Sequence, residues 1–290
     1  MVDRKPSRSV ASDTESRLIV SGAMLSHPGL VREKNEDTVV YQLPPSGDLS
    51  AGMGLLALVA DGMGGHASGE VASQIVAQTL HSVYYQQDQP APAALAEGFA
   101  VANKLVFERG ASDSLCAGMG TTCTALAVRG TQAWVGHVGD SRAYIAREGR
   151  IFQVTEDHSV VAQLVRDGVL SADAARESPD RNVILRAVGV QATVQPVVWT
   201  EGLPLRDGDV LMLSSDGLHD LVDNQTILLA VTSLAPFEAC QSLVAAALAA
   251  GGSDNVSVGV FAFSAATESG PGPARPTRPI AVSAAMESRR

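Results

Sequence analysis

A chain of 290 residues with 46% hydrophobic and 18% charged residues carries enough apolar material for a substantial core and is not mainly disordered. Its formal net charge of -10, from 21 basic and 31 acidic side chains, argues against nucleic-acid or anionic-membrane partners, which need basic patches. Three cysteines (Cys116, Cys123 and Cys240) have no metal-finger spacing and suit no disulfide framework, so they read as buried small hydrophobes in a reducing compartment.

In chain order, residues 1–16 are polar and aperiodic, with no apolar signal region, and are expected to be disordered. One domain over 17–264 is the simplest organisation, because no linker or internal repeat interrupts it. Its first clear element is Leu55–Ala60, a continuous apolar run expected as a strand buried on both faces. A helix follows over Glu70–Tyr85, with Val71, Ile75, Thr79 and Val83 on one stripe and Val76 and Leu80 beside it. A second is expected over Ala93–Glu108, with Leu95, Phe99, Ala102 and Val106 aligned. Short strands are expected at Thr122–Val128, Ala133–His137, Arg142–Ala146 and Ile151–Val154, with hairpin turns at Gly130 and Gly149. A short helix over Val160–Asp167, a strand over Val210–Ser214, a helix over Pro236–Ala250 and a strand over Val256–Phe263 complete the frame. Residues 265–290, Pro-rich between Gly270 and Pro279, have the composition of a disordered tail. No apolar run is long enough to span a bilayer, and a cytoplasmic location is the default expectation. Hairpins segregated from helical pairs define an α+β pattern with antiparallel sheets.

The chemistry lies where apolar strands run into aspartate. Leu55–Ala60 ends in Asp61-Gly62-Met63-Gly64-Gly65; Val135–Gly139 ends in Asp140-Ser141-Arg142; Val210–Ser215 ends in Asp216-Gly217-Leu218; and Gly252-Ser253-Asp254-Asn255 precedes Val256. An earlier acidic pair, Glu36-Asp37, follows Arg32. A single Asp-Gly after a strand is ordinarily a turn. Four carboxylates converging on one mouth of a sheet repel one another unless cations neutralise them, and all-oxygen donors point to Mg²⁺ or Mn²⁺ over zinc.

In order, Arg-x-x-x-Glu-Asp at Arg32–Asp37, Asp61-Gly62-Met63-Gly64-Gly65, Gly118-Met119-Gly120-Thr121-Thr122, Gly139-Asp140-Ser141-Arg142, Ser215-Asp216-Gly217-Leu218 and Asp254-Asn255-Val256 resemble the PP2C-type (PPM) metal-dependent protein phosphatases, bacterial branch. The resemblance runs from about Gly22 to Phe263. It implies a four-layer αββα sandwich, two mainly antiparallel sheets flanked by helices, with a metal site at one end. It implies a protein serine/threonine phosphatase that hydrolyses phosphoserine and phosphothreonine with water activated by two Mn²⁺ or Mg²⁺ ions. Asp61 would bridge the ions, the Gly62 carbonyl would be a further ligand, and Asp216 and Asp254 would complete the shell of the first ion. Glu36 would reach the second ion, Asp140 a third and weaker one, and Asp37 would support the shell. Arg32 matches the phosphate-binding arginine, and residues of about 158–195 match a mobile flap. Phosphorylated Ser/Thr proteins and a cognate Ser/Thr kinase are the implied partners.

One position departs from the family. Animal members place a histidine directly after Asp-Gly, as the acid for the leaving alkoxide; here Met63 stands there and has no proton to give. His66 and His158 are alternative acids, although a loop-stabilising hydrogen bond is the preferred role for each, and metal-bound water is an equal alternative. Two rival readings compete. Gly62-Met63-Gly64-Gly65-His66-Ala67 formally fits a dinucleotide-binding G-x-G-x-x-A. A non-catalytic phosphoprotein-binding scaffold would be expected to have lost acidic positions that this chain keeps. A phosphatase acting on anti-sigma-factor antagonists would share the chemistry and differ in partner.

Overall fold

The computed structural model describes residues 17–64, 68–86 and 88–266. The expectations for residues 1–16, His66 and nearly all of the 265–290 tail therefore fall outside the described residues.

The chain opens with β1 (Leu18–His27), β2 (Asp37–Gln42) and β3 (Leu55–Met63), then two long helices, α1 (Ser68–Gln86) and α2 (Ala91–Ser112). A run of strands follows: β4 (Gly120–Thr121), β5 (Cys123–Arg129), β6 (Gln132–Val138), β7 (Arg142–Arg147) and β8 (Arg150–Gln153). Short elements α3 (Val160–Arg166), α4 (Ala172–Arg176), β9 (Val197–Val198) and β10 (Leu203–Pro204) lead to β11 (Val210–Ser214). The fold closes with α5 (Asp216–His219), α6 (Asn224–Ser233), α7 (Pro236–Ala249) and β12 (Val256–Ala265).

Every strand pairing is antiparallel. One sheet has the order β1-β12-β11-β7-β8; the other runs β10-β6-β5-β3-β2, with β4 added to β3 and β9 to β6. Alternation along the strands makes the layers. Leu55, Ala57 and Val59 of β3 join Leu126, Ile145, Leu213, Phe261 and Phe263 in the core between the sheets. Leu56, Leu58 and Ala60 point the other way, against Val76, Leu80 and Phe99 of α1 and α2. On the opposite flank Met212, Val258 and Val260 pack on Ile227, Leu243 and Val244 of α6 and α7. The result is helix, sheet, sheet, helix, with three separate apolar seams driven by burial of both strand faces. This is the α+β sandwich expected from the motifs.

Several details differ from the sequence reading. The buried stripe of α1 is Ala72, Val76, Leu80 and Tyr84, with Val71 and Ile75 only partly buried at its edge. Small residues in the first half of this face, among them Gly69, Ala72, Ser73 and Ala77, are buried beside Val76 and Leu80. No strand was expected at β1 or β2, nor a helix at α6. All three are incompletely buried, so their apolar residues do not alternate or repeat cleanly. The antiparallel order also excludes the dinucleotide reading: β3 leads through α1 and α2 to β5, its antiparallel neighbour, and forms no parallel crossover. No helix among the described residues is long and apolar enough to cross a membrane.

Candidate metal centre

Antiparallel pairing carries the acidic residues to one end of the sandwich. β3 ends where β2 begins, so Asp61 stands directly opposite Asp37 in register. β11 ends beside the starts of β7 and β12, with Ser214 opposite Arg142 and Val258. Asp140, Asp216 and Asp254 are the loop or helix residues immediately beyond those strand ends.

The end of β3 is held by hydroxyls of the Gly-Met-Gly-Thr-Thr segment. The Asp61 N–H donates to Thr122 Oγ1 at 3.1 Å, while Thr121 Oγ1 and the Thr122 N–H both donate to the Asp61 carbonyl at 2.8 Å. Gly62 is buried against Gly69 at the start of α1; a Cβ on Gly62 would meet the Gly69 carbonyl oxygen at 2.2 Å. Glycine is needed at both positions for strand and helix to touch. Glu36 sits in the same junction: its carbonyl accepts from the Gly62 N–H at 3.2 Å and from Ser73 Oγ at 2.6 Å. Gly139 adopts φ 110°, a left-handed conformation favouring glycine, and turns the chain so that Asp140 enters the mouth buried at 6% exposure.

The carboxylates are crowded and short of partners. Asp37 accepts from Ser215 Oγ at 2.8 Å through Oδ2, but its Oδ1 is buried with no hydrogen-bond partner. The Oδ1 atoms of Asp140 and Asp216 are in the same condition. Burial raises the Asp61 carboxyl well above the usual range, and Asp37, Asp216, Asp140 and Asp254 push it further. Asp216 is likewise raised well above its ordinary value by burial, then by Asp140, Asp254, Asp220 and Asp37. Asp37 rises to about 6, chiefly from burial, and Asp140 to about 7 from burial and the neighbouring Asp157. Glu36 is raised by burial, against the opposing pull of Arg32.

Arg32 lies at the rim with its side chain 53% exposed and donates from Nη2 to Asp254 Oδ2 at 2.7 Å. The structure therefore brings Arg32, Glu36, Asp61, Gly62, Asp140, Asp216 and Asp254 to one mouth, with Asp37 beneath. Among the described residues no three His, Cys, Asp or Glu side chains close on a single point. The carboxylates share an electrostatic field. The donor set fits hard divalent ions: carboxylate oxygens left unsatisfied in a buried site gain most from a cation.

Supporting residues were less visible in the sequence. Asp157 takes a forked pair of bonds from Arg142, at 3.0 Å from Nε and 2.7 Å from Nη2, and Asp220 adds negative charge to Asp216 and Asp140. The signal for Asp157 was its place before His158; nothing around Asp220 distinguished it from a helix-end acid. His158 is buried, accepts from the Gly139 N–H through Nδ1 at 3.1 Å and stacks on His137 with ring centroids 4.8 Å apart. Burial, with Arg186, lowers its pKa, and the Nδ1 bond ties it to the turn before Asp140. Met63 lines a cavity of about 360 Å³ whose other wall is Ile184–Ala187, Val190, Gln191 and Thr193–Gln195. The 158–195 segment thus packs beside the mouth, tied to it by the Thr121–Val188 bridge.

A family model for protein phosphatase 2C matches residues 35–250, and the chain belongs to that family. The serine/threonine protein phosphatase PstP of Mycobacterium tuberculosis is 38% identical over 244 residues, which are 83% of this chain and 44% of that protein. The chain thus spans less than half the length of that relative. Protein phosphatase PhpP of Streptococcus pneumoniae is 32% identical over 246 residues, covering 83% of this chain and 96% of PhpP. Among solved structures, the catalytic domain of PstP in complex with two manganese ions superposes with a TM-score of 0.75 at 35% identity, covering 85% of this chain and 99% of that one.

Proposed function

We propose that this chain is a metal-dependent protein serine/threonine phosphatase that removes phosphate from phosphoserine and phosphothreonine in proteins and opposes bacterial Ser/Thr kinases. The observation that carries the reading is the set of buried carboxylate oxygens without partners on Asp37, Asp140 and Asp216, gathered beside Asp61 with Arg32 at the rim. The two-manganese structure of PstP supports Mn²⁺ or Mg²⁺ as the cofactor. Asp61, the Gly62 carbonyl, Asp216, Asp254 and Glu36 would hold two ions, and Asp140 a third. Bound there, such ions act as Lewis acids and lower the pKa of water that attacks phosphorus.

The protein's own groups do the rest. Arg32 presents a planar fork of donors and stays charged at any working pH, so it suits the phosphoryl oxygens. Its bond to Asp254 sets the guanidinium beside the acidic mouth, where it would meet an incoming phosphate. Met63 donates no proton. His158 spends Nδ1 on Gly139, and its backbone on Gly139 and Leu185, which favours bracing over leaving-group protonation. The 17–264 segment is taken as one catalytic domain with 158–195 as its flap. A cytoplasmic setting is supported by three buried cysteines that are all free.

The test is hydrolysis of matched phosphothreonine, phosphoserine and phosphotyrosine peptides with Mn²⁺ and in EDTA. The proposal expects release of phosphate from the first two with Mn²⁺ only. Preference for phosphotyrosine, or equal rates in EDTA, would contradict it.

A further inference from the structure

Asn255, at the start of β12, is buried at 6% exposure, and its side-chain amide is engaged by chain more than two hundred residues away. Nδ2 donates to the carbonyl oxygens of Pro28 at 3.0 Å and Lys34 at 2.8 Å, and Oδ1 accepts from the Glu36 N–H at 2.8 Å. These bonds grip both ends of the 28–36 loop, which carries Arg32 and finishes at Glu36. The Leu30 N–H adds a tie to the Gly252 carbonyl at 2.7 Å, from the same turn that precedes Asp254. On its other side the Asn255 carbonyl lies against Gly217, where a Cβ would meet it at 2.0 Å, so the residue after Asp216 is seated on it. The Asn255 N–H donates to Asp254 Oδ1 at 2.8 Å, leaving Oδ2 for Arg32.

The Asn255 side chain thus grips the loop that carries Arg32 and ends at Glu36, while its backbone lies against Gly217 and bonds Asp254. Only an amide offers two donors and an acceptor in a single plane. Aspartate has the same shape but no donors, and would set a charge against two carbonyl oxygens. Alanine would leave those carbonyls and the Glu36 N–H without their bonds.

We propose that Asn255 is a positioning residue that holds the phosphate-binding loop in register with the carboxylates of Asp216 and Asp254. It acts through Arg32 and Glu36 and touches neither phosphate nor the reacting atoms. The inference rests on the phosphatase reading.

The test is calorimetric binding of inorganic phosphate with Mn²⁺ present, which does not depend on turnover, on wild type, Asn255→Ala, Asn255→Asp and Arg32→Ala. It is paired with p-nitrophenyl phosphate kinetics. The expected result is phosphate affinity about tenfold weaker in both Asn255 variants, with KM rising by a similar factor and kcat falling less. In an Arg32→Ala background, Asn255→Ala should weaken phosphate binding by less than about twofold, because the phosphate-binding group it positions is gone. Unchanged phosphate affinity, losses that multiply in the double variant, or loss of folding in both Asn255 variants would overturn the proposal. A wild type that binds phosphate with Mn²⁺ but never hydrolyses the ester would instead sink the phosphatase reading and leave the binding comparison standing.

Discussion

Asp61 and Asp216 show what the acidic mouth costs the protein. Both carboxyls are raised well above their ordinary range by burial and by the charge of neighbouring aspartates. Removing one charge therefore relieves repulsion while it removes a proposed ligand. In EDTA, Asp216→Asn should melt about 3 °C or more above wild type, corresponding to about 1 kcal/mol for a chain of this size. With saturating Mn²⁺ the order should invert, because wild type gains more binding energy; a differential scanning melt in both buffers checks this. The pH dependence has the same origin. Asp37 and Asp140, raised to about 6 and about 7, hold protons in the fold that the unfolded chain has already released. Stability in EDTA should therefore fall as pH rises from about 4 to about 7, as denaturant melts at several pH values would show. A flat or rising profile would contradict the crowding. At this scale the sequence was informative because each aspartate interrupts an apolar run. Asp220 carries no signal in the sequence, and Asn255 shows only as part of the Asp254-Asn255-Val256 motif, because their roles come from neighbours remote in sequence, which spacing does not display.

Elements, more than loops, place the site. β3 and α1 meet through Gly62 and Gly69, and Glu36 packs into that contact. Gly62→Ala puts a methyl 2.2 Å from the Gly69 carbonyl oxygen, in a junction that has no flexible side chain to give way. It should destabilise the fold by about 3 kcal/mol and lower activity together with stability, measured by urea melts and p-nitrophenyl phosphate hydrolysis. Near-wild-type stability would show that the junction can open. The buried strands β3, β5 and β11 were legible because their residues are apolar on both faces. β1 was not: Gly22, Ser21 and Ser26 break its pattern, since a Cβ at Gly22 would meet the Phe261 ring at 2.3 Å and room for that ring decides the residue. On α1, Val76 and Leu80 lie in the buried face, while the small buried residues Ala72, Ser73 and Ala77 carry too little hydropathy to mark its centre.

For the whole molecule, antiparallel topology brings strand starts and strand ends to one face, and that is what converts scattered aspartates into a centre. The α+β class followed from periodicity, whereas the pairing of two sheets rested on the family motifs. Strand order and register depend on contacts between distant segments, so local pattern does not encode them. The acid excess behind the net charge of -10 includes this cluster, and divalent cations should stabilise the molecule far more than equal ionic strength of NaCl. The most direct test of the central claim is a Mn²⁺ titration of p-nitrophenyl phosphate hydrolysis on wild type, Asp61→Asn and Asp216→Asn. Saturable activation of wild type, absent in EDTA and reduced at least about a hundredfold in both variants, is the predicted result. Full activity in EDTA, or in both variants, would contradict it.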